Sequence, residues 1–258
     1  MNPTRRAYLC TTFSAAALAA SLAAPLAYAD NETSWSWRGK TTNGSGTVVS
    51  QAREASDFQS IAVSGSINVK IRQGARELVE VRTDDNLQAL LETVVESGSA
   101  GRTLHVRWKR GSNVHTRSEP TVTIDVVHLK AISSGGSGRI AVDGLNTPAL
   151  KFSIAGSGDG QLNAITTNAM EVSIAGSGDV RGDGKTAQLK LSIAGSGDIQ
   201  LAKLLADDVR VSIAGSGDAS VHAQKSLSVS IAGSGDVVYS GDAVVKTSIA
   251  GSGSVKKR

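Results

Sequence analysis

Five aspartates, Asp159, Asp179, Asp198, Asp218 and Asp236, close successive copies of one heptapeptide, Ser-Ile-Ala-Gly-Ser-Gly-Asp, beginning at Ser153, Ser173, Ser192, Ser212 and Ser230. If the copies stack at the strand spacing of about 4.8 Å, adjacent carboxylates repel by roughly 3 to 4 kcal/mol at an effective dielectric near 20, and by about 1 in bulk water. Something must offset that repulsion. One solution is that each Asp accepts hydrogen bonds from backbone amides at its own Gly-rich corner while water screens the rest. The alternative is a column of Ca²⁺ ions between coils, by analogy with the Gly-Gly-x-Gly-x-Asp repeats of calcium β-rolls. The repeat here is about twice as long as in those rolls, and each turn offers one carboxylate where a calcium site collects more, so hydrogen bonding is the expected answer. Arg139 and Ser254 occupy the two ends of the column, as electrostatic terminators would.

Catalysis finds less support. His105, His115, His128 and His222 lie in unrelated local contexts, and no His-Glu-x-x-His or other metal-ligand spacing occurs. Asp179 with Arg181, and Asp207-Asp208 with Arg210, are the best charged groupings, but identical aspartates in identical corners do not separate an acid from a base. No helix follows Gly-Ser-Gly-Asp to supply the amides and dipole of a phosphate loop. The expectation is no catalytic residue, no cofactor and no enzyme. Trp35, Trp37 and Trp108 could form a sugar-stacking platform; the alternative is that Trp108 covers a core and the other two pack on a flank or lie in a lead-in.

The heptapeptide also closes the array as Ser-Ile-Ala-Gly-Ser-Gly-Ser from Ser248, and a degenerate copy, Ser-Ser-Gly-Gly-Ser-Gly-Arg, starts at Ser133. The copies recur every 18 to 20 residues, which marks a solenoid whose units bury their apolar faces against one another. Each copy is entered through an alternation at i, i+2, i+4 in which 17 of 18 positions are apolar: Leu150, Phe152, Ile154; Met170, Val172, Ile174; Leu189, Leu191, Ile193; Val209, Val211, Ile213; Leu227, Val229, Ile231; and Val245, Thr247, Ile249. A period of two is a strand with one buried face. The intervening Lys151, Glu171, Lys190, Arg210, Ser228 and Lys246 point outward. A shorter apolar pattern follows each turn, as in Ile199 and Leu201 or Val237 and Tyr239, so one coil holds at least two strands and has no room for an ordinary helix. An all-β, right-handed parallel β-helix with coils of 18–20 residues fits, each strand pairing with its equivalent one coil earlier.

Composition agrees. The chain of 258 residues is 40% hydrophobic but 3% aromatic, with 28 Gly and 4 Pro, so its core is built from aliphatic and small side chains. Residues 1–29 read as a signal peptide: Arg5 and Arg6, an Ala-rich apolar run, then Ala27-Tyr28-Ala29 before Asp30. Thr4-Arg5-Arg6-Ala7-Tyr8-Leu9 also resembles a twin-arginine signal, which leaves the export route open. Cys10, the sole cysteine, lies before the apolar run, so the processed chain has no disulfide and is held by packing and backbone pairing. The formal charge of +4 falls by two once Arg5 and Arg6 leave, too weak a bias to point to nucleic acid or to electrostatic membrane binding. No later run reaches the roughly 20 apolar residues of a membrane span.

Residues 30–56 read as a lead-in or linker, with an Asn43-Gly44-Ser45-Gly46 stretch. Residues 57–132 resume the alternation as an N-terminal β part, and residues 133–258 form the repeat β-helix. Asn86 to Glu96 suits either a short helix or, through Thr93-Val94-Val95, a strand. Lys256-Lys257-Arg258, directly after the last coil, would deter end-to-end pairing of exposed strand edges.

Phe58-x-x-Ile61-Ala62-Val63-Ser64-Gly65, Val69-Lys70-Ile71-Arg72-Gln73-Gly74, Asp84-Asp85-Asn86-Leu87, Thr121-Val122-Thr123-Ile124 and the serial Gly-Ser-Gly coils together resemble the putative auto-transporter adhesin, head GIN domain family, over roughly residues 57 to 254. The resemblance implies a β-helical, extracytoplasmic, adhesin-like domain and carries no catalytic residues. Too few residues follow the last copy for a membrane barrel. The expected function is a periplasmic or secreted, non-enzymatic surface-interaction or structural module. Its partner would be a cell-surface glycan or an envelope protein. The alternatives are a carbohydrate-active β-helix enzyme and a Ca²⁺-dependent scaffold.

Overall fold

Strands with one apolar face must cover that face, and here they do so by stacking coil on coil. A computed structural model describes residues 41–98 and 101–258; 72% of the structure is strand, in stacked parallel coils that make a β-solenoid of about six turns. The expected signal peptide at 1–29, with Trp35 and Trp37, lies outside the described residues. The N-terminal part comprises β1 (Thr41–Asn43), β2 (Val48–Arg53), β3 (Ser60–Ser64), β4 (Asn68–Gln73), β5 (Leu78–Asp84), a single 3-10 turn at Asp85–Leu87, β6 (Leu91–Gly98), β7 (Gly101–Trp108), β8 (Asn113–His115) and β9 (Thr121–Val126). The array follows as β10 (Ala131–Gly136), β11 (Ile140–Asp143), β12 (Asn146–Gly156), β13 (Gly160–Gly176), β14 (Val180–Gly195), β15 (Ile199–Gly215), β16 (Ala219–Gly233), β17 (Asp236–Ser240), β18 (Val244–Gly251) and β19 (Ser254–Lys257). Among the described residues no helix is long and apolar enough to cross a membrane.

Register translates the sequence repeat into space. Phe152 pairs with Val172, Val172 with Leu191, Leu191 with Val211 and Val211 with Val229, and the following isoleucines, Ile154 to Ile231, stack in the same order. All fifteen alternating positions from Leu150 to Ile231 are buried. The last coil differs: Thr247 is exposed and Ile249 is 41% exposed, because nothing among the described residues stacks beyond it. After Gly-Ser-Gly the chain runs inward again at Ile140, Gly160, Val180, Ile199, Ala219 and Val237. Coil length varies where it does least harm. Register shifts fall at Leu162/Ile165, Arg181/Asp183, Leu201/Leu205 and Ala206/Asp208, leaving the Gly-Ser-Gly side in strict register.

The stack starts earlier than the repeat does. β3 pairs with β10, and β4 with β11, so Ser64-Gly65-Ser66 is the first corner of the same column. On their other edges β3 pairs parallel with β7 and β4 with β9. The chain thus lays down the coil of β3 and β4, adds β7 and β9 on one side, then returns to build the array on the other. Antiparallel strands close that end: β6 on β7, and β5 on β9 with β2 outside it. The stretch expected as lead-in contains two strands, Thr41–Asn43 and Val48–Arg53, within its described part. The residues Asn86 to Glu96 resolve as one 3-10 turn followed by a strand, since the β-branched run Thr93-Val94-Val95 pairs across to β7.

Asp84 pins this closure. Its buried carboxylate accepts hydrogen bonds from Ser118 Oγ at 2.6 Å, from Thr116 Oγ1 and from the Gly46 amide at 2.9 Å. The two hydroxyls hold the carboxyl below the usual carboxylate range despite burial.

Candidate functional site

The aspartate column is a hydrogen-bonded ladder between coils. Asp179 Oδ1 accepts the Asp198 amide at 3.2 Å, Asp198 Oδ1 the Asp218 amide at 2.9 Å, Asp218 Oδ1 the Asp236 amide at 2.7 Å, and Asp236 Oδ1 both the amide and the hydroxyl of Ser254 at 2.8 Å. The amide belongs to the next coil, and not to the aspartate's own corner as expected, because in-register stacking brings it one strand spacing away. At the other end Asn68 Oδ1 accepts the Arg139 amide at 3.0 Å, a rung not anticipated, and Arg139 Nη2 lies 3.6 Å from Asp159 Oδ2. The Ser254 hydroxyl and amide lower the Asp236 pKa. Among the described residues no group of three or more His, Cys, Asp or Glu side chains is placed to hold a metal.

Asp218→Asn keeps an oxygen acceptor and removes a repelled charge, so stability should change by no more than about 0.5 kcal/mol. Asp218→Ala deprives the Asp236 amide of its acceptor and should cost about 1 kcal/mol. Urea unfolding of both variants, with EDTA and with added Ca²⁺, measures this; coincident curves in the two buffers are expected, and a Ca²⁺-dependent midpoint would contradict the ladder as the whole explanation.

The charged groupings singled out for catalysis are occupied in separate ways. Arg181 Nη2 is 3.9 Å from Asp179 Oδ2. Asp207 pairs with Lys225 Nζ at 2.9 Å, and Asp208 accepts Ser226 Oγ at 2.6 Å, so the two neighbours are spoken for by different partners. The histidines remain dispersed: His105 Nε2 is 3.6 Å from Glu96, His222 Nδ1 bonds Ser240 Oγ at 2.8 Å, and His115 and His128 line different concavities.

The larger concavity is a groove of about 920 Å³ that runs along the stack across the start of the long strands. It forms where alternation breaks. Buried Thr147, Thr167 and Thr186 turn the chain, the latter two hydroxyls donating to the carbonyls of Ala169 and Gln188 at 3.1 and 3.0 Å, and two consecutive outward residues follow. Leu150, Met170, Leu189 and Val209 form the floor. One lip is Pro148, Ala149, Ala169, Gln188 and Asp208; the other is Lys151, Glu171, Lys190 and Arg210. Small side chains at Pro148, Ala149 and Ala169 on the first lip, facing long ones on the second, leave the space open there. Glu171 links its neighbours, 3.1 Å from Lys190 Nζ and 3.8 Å from Lys151 Nζ. Lys130 sits at the end of the floor: its backbone bridges Gln59 and Lys151 at 2.8 Å, which puts it level with Leu150.

A second cleft of about 650 Å³ lies at the capped end, beside Ser66, Asn68, His115 and Glu119. Trp108 lines it while packing against the core, its ring edge resting over Gly65. Neither concavity was read from the sequence, although the recurring Thr147-Pro148-Ala149, Thr167-Asn168-Ala169 and Thr186-Ala187-Gln188 break was there to be found.

Solved structures share this architecture. A protein described as a putative adhesin from Bacteroides fragilis superposes with a TM-score of 0.79 at 24% identity, covering 84% of this chain and 100% of its own. One described as a putative lipid binding protein, from Parabacteroides distasonis, gives 0.69 at 27% identity, with 85% and 100% covered. A putative adhesin from the same organism gives 0.66 at 25%, again covering 85% and 100%. No curated protein matches the chain. The family described as putative auto-transporter adhesin, head GIN domain matches residues 57–243. With that span, and with the coil stack, corners and closure in place, the chain belongs to the auto-transporter adhesin, head GIN domain family.

Proposed function

We propose that the protein is a non-enzymatic, extracytoplasmic surface-interaction module that takes its ligand in the axial groove. The observation that carries this reading is the groove itself: an apolar floor between one largely uncharged lip and one charged lip, continuous over five coils of the stack. Concave, mostly apolar surfaces with a few placed polar groups are what binding sites are made of. Its carboxylates, Glu171 and Asp208, are engaged by Lys151 and Lys190 and by Ser226, which suits holding a ligand better than transferring a proton. The adhesin descriptions of the family and of two structural relatives support an extracellular or surface setting. The lipid-binding description of a third favours an apolar ligand. A surface glycan is the second reading, favoured by the cleft that sets Trp108 beside Asn68 and Glu119.

A binding screen of purified envelope glycans and lipids, run on the protein and on Ala169→Phe, tests the reading. Ala169 stands on the groove lip, so the added ring should fill the groove and weaken the bound class at least about tenfold while leaving glycan capture at the Trp108 cleft intact. Turnover of a bound polysaccharide would contradict the non-enzymatic assignment.

A further inference from the structure

We propose that the groove half nearest the capped end binds a single-chain amphiphile with an anionic head group, its chain along Leu150, Met170 and Leu189 and its head held by Lys130 and Lys151. This rests on the reading of the groove as the ligand-binding surface.

The lining changes character along its length. Toward the capped end the first lip is Pro148, Ala149 and Ala169, all apolar; farther on it becomes Gln188 and Asp208. The floor from Leu150 to Leu189 spans three coils, about 10 Å between the first and third at the strand spacing, and the first lip is apolar over the first two of them. In line with the floor, where the next leucine would stand, is the exposed side chain of Lys130. Lys130 has no ion pair among the described residues. Lys151 stands on the adjacent strand, and its one acid, Glu171, is 3.8 Å away and holds Lys190 more closely at 3.1 Å. Lys130 and Lys151 both line that end of the groove, and an anion placed there meets two cations. No carboxylate on the facing lip competes at that end, whereas Asp208 occupies the other.

An elongated ligand with an apolar tail and one terminal anion satisfies both features. A polysaccharide fits worse, since no Trp, Tyr or Phe lines the groove to stack on a sugar face.

Dodecanoate, titrated calorimetrically below its micellar concentration, is the probe, with dodecanol lacking the charge and butyrate lacking most of the tail. The expected result is saturable binding of dodecanoate, binding of dodecanol about tenfold weaker, and none of butyrate. Lys130→Gln with Lys151→Gln should weaken dodecanoate about tenfold and leave dodecanol unchanged, while Lys246→Gln, an exposed lysine outside the groove lining, changes either by less than about twofold. Ala169→Phe should abolish binding of both, and Ala149→Phe serves in its place should the first fail to fold. Equal affinity for dodecanoate and dodecanol, or indifference to the lysine pair, would overturn the assignment of the head. If dodecanoate does not bind but Ala169→Phe still loses the envelope ligand, the amphiphile is wrong and the groove reading survives; if Ala169→Phe alters nothing, both fall.

Discussion

Gly195→Ala is expected to destabilise the protein by about 4 kcal/mol, combining roughly 1–3 for a strained backbone with roughly 1–3 for overpacking. Gly195 has φ +134°, where a side chain is strained whatever the space. Space is also lacking, because a Cβ there would press into the carbonyl oxygen of Gly176 in the preceding coil. That oxygen accepts the Ser196 amide at 2.9 Å, so the corner cannot retreat without breaking the bond that joins the coils. Thermal unfolding should fall by roughly 8–16 °C, given about 2–4 °C per kcal/mol for a domain of this size. Ser196→Ala is the control: the side chain is exposed, only the amide is used, and the change should stay within about 0.5 kcal/mol. A Gly195→Ala midpoint as little shifted as that of Ser196→Ala would show that the coils do not approach as closely as described.

The second large effect is a coupling between Phe152 and Gly160. Every other coil from Val172 to Val229 fills the Phe152 column with an aliphatic side chain and carries Val, Ile or Ala in the column of Gly160. Here the fully buried ring occupies both volumes: a Cβ on Gly160 would lie 2.5 Å from Phe152 Cε1 and 2.7 Å from its Cζ. Phe152→Val alone should cost roughly 2–3 kcal/mol through the cavity it leaves. Gly160→Val alone should cost roughly 2–3 kcal/mol through overpacking. Together they recreate the Val172 and Val180 arrangement of the next coil, so the double variant should be more stable than either single one, with a coupling of about 2 kcal/mol or more. Chemical unfolding of the four proteins in the cycle measures it; additive losses would mean that the two residues do not share one space.

The array was legible because its regularity is energetic. A column of isoleucines from Ile154 to Ile231 tolerates no stray residue, since each side chain packs against the coils above and below, and so the repeat survives in the sequence. The order of the N-terminal coils was not legible. β5 and β9 carry the same alternation as β4, and alternation does not tell a parallel neighbour from an antiparallel one, nor on which side of β3 the chain places β7. Phe152 was visible as an apolar position, but its partner Gly160 was not, because compensation between columns needs both registers. The aspartates were recognised as acceptors; their donors, on the following coil, follow only from stacking. The groove was missed since no single repeat contains it: its floor and lips are assembled from residues about 20 apart, and the break in alternation that opens it lies outside the conspicuous heptapeptide.

Spin labels on the outward alanine column test most directly whether sequence periodicity is spatial translation. Ala155, Ala175, Ala194, Ala214, Ala232 and Ala250 are in register and exposed, and Cys10, the only native cysteine, can be replaced by Ser. Electron–electron resonance between Cys at 155 and 232, and between Cys at 155 and 250, should give about 19 and about 24 Å, a step of one strand spacing per coil. Broad distributions, or a pair separation that does not grow by one such step from the first measurement to the second, would contradict the stacked-coil account.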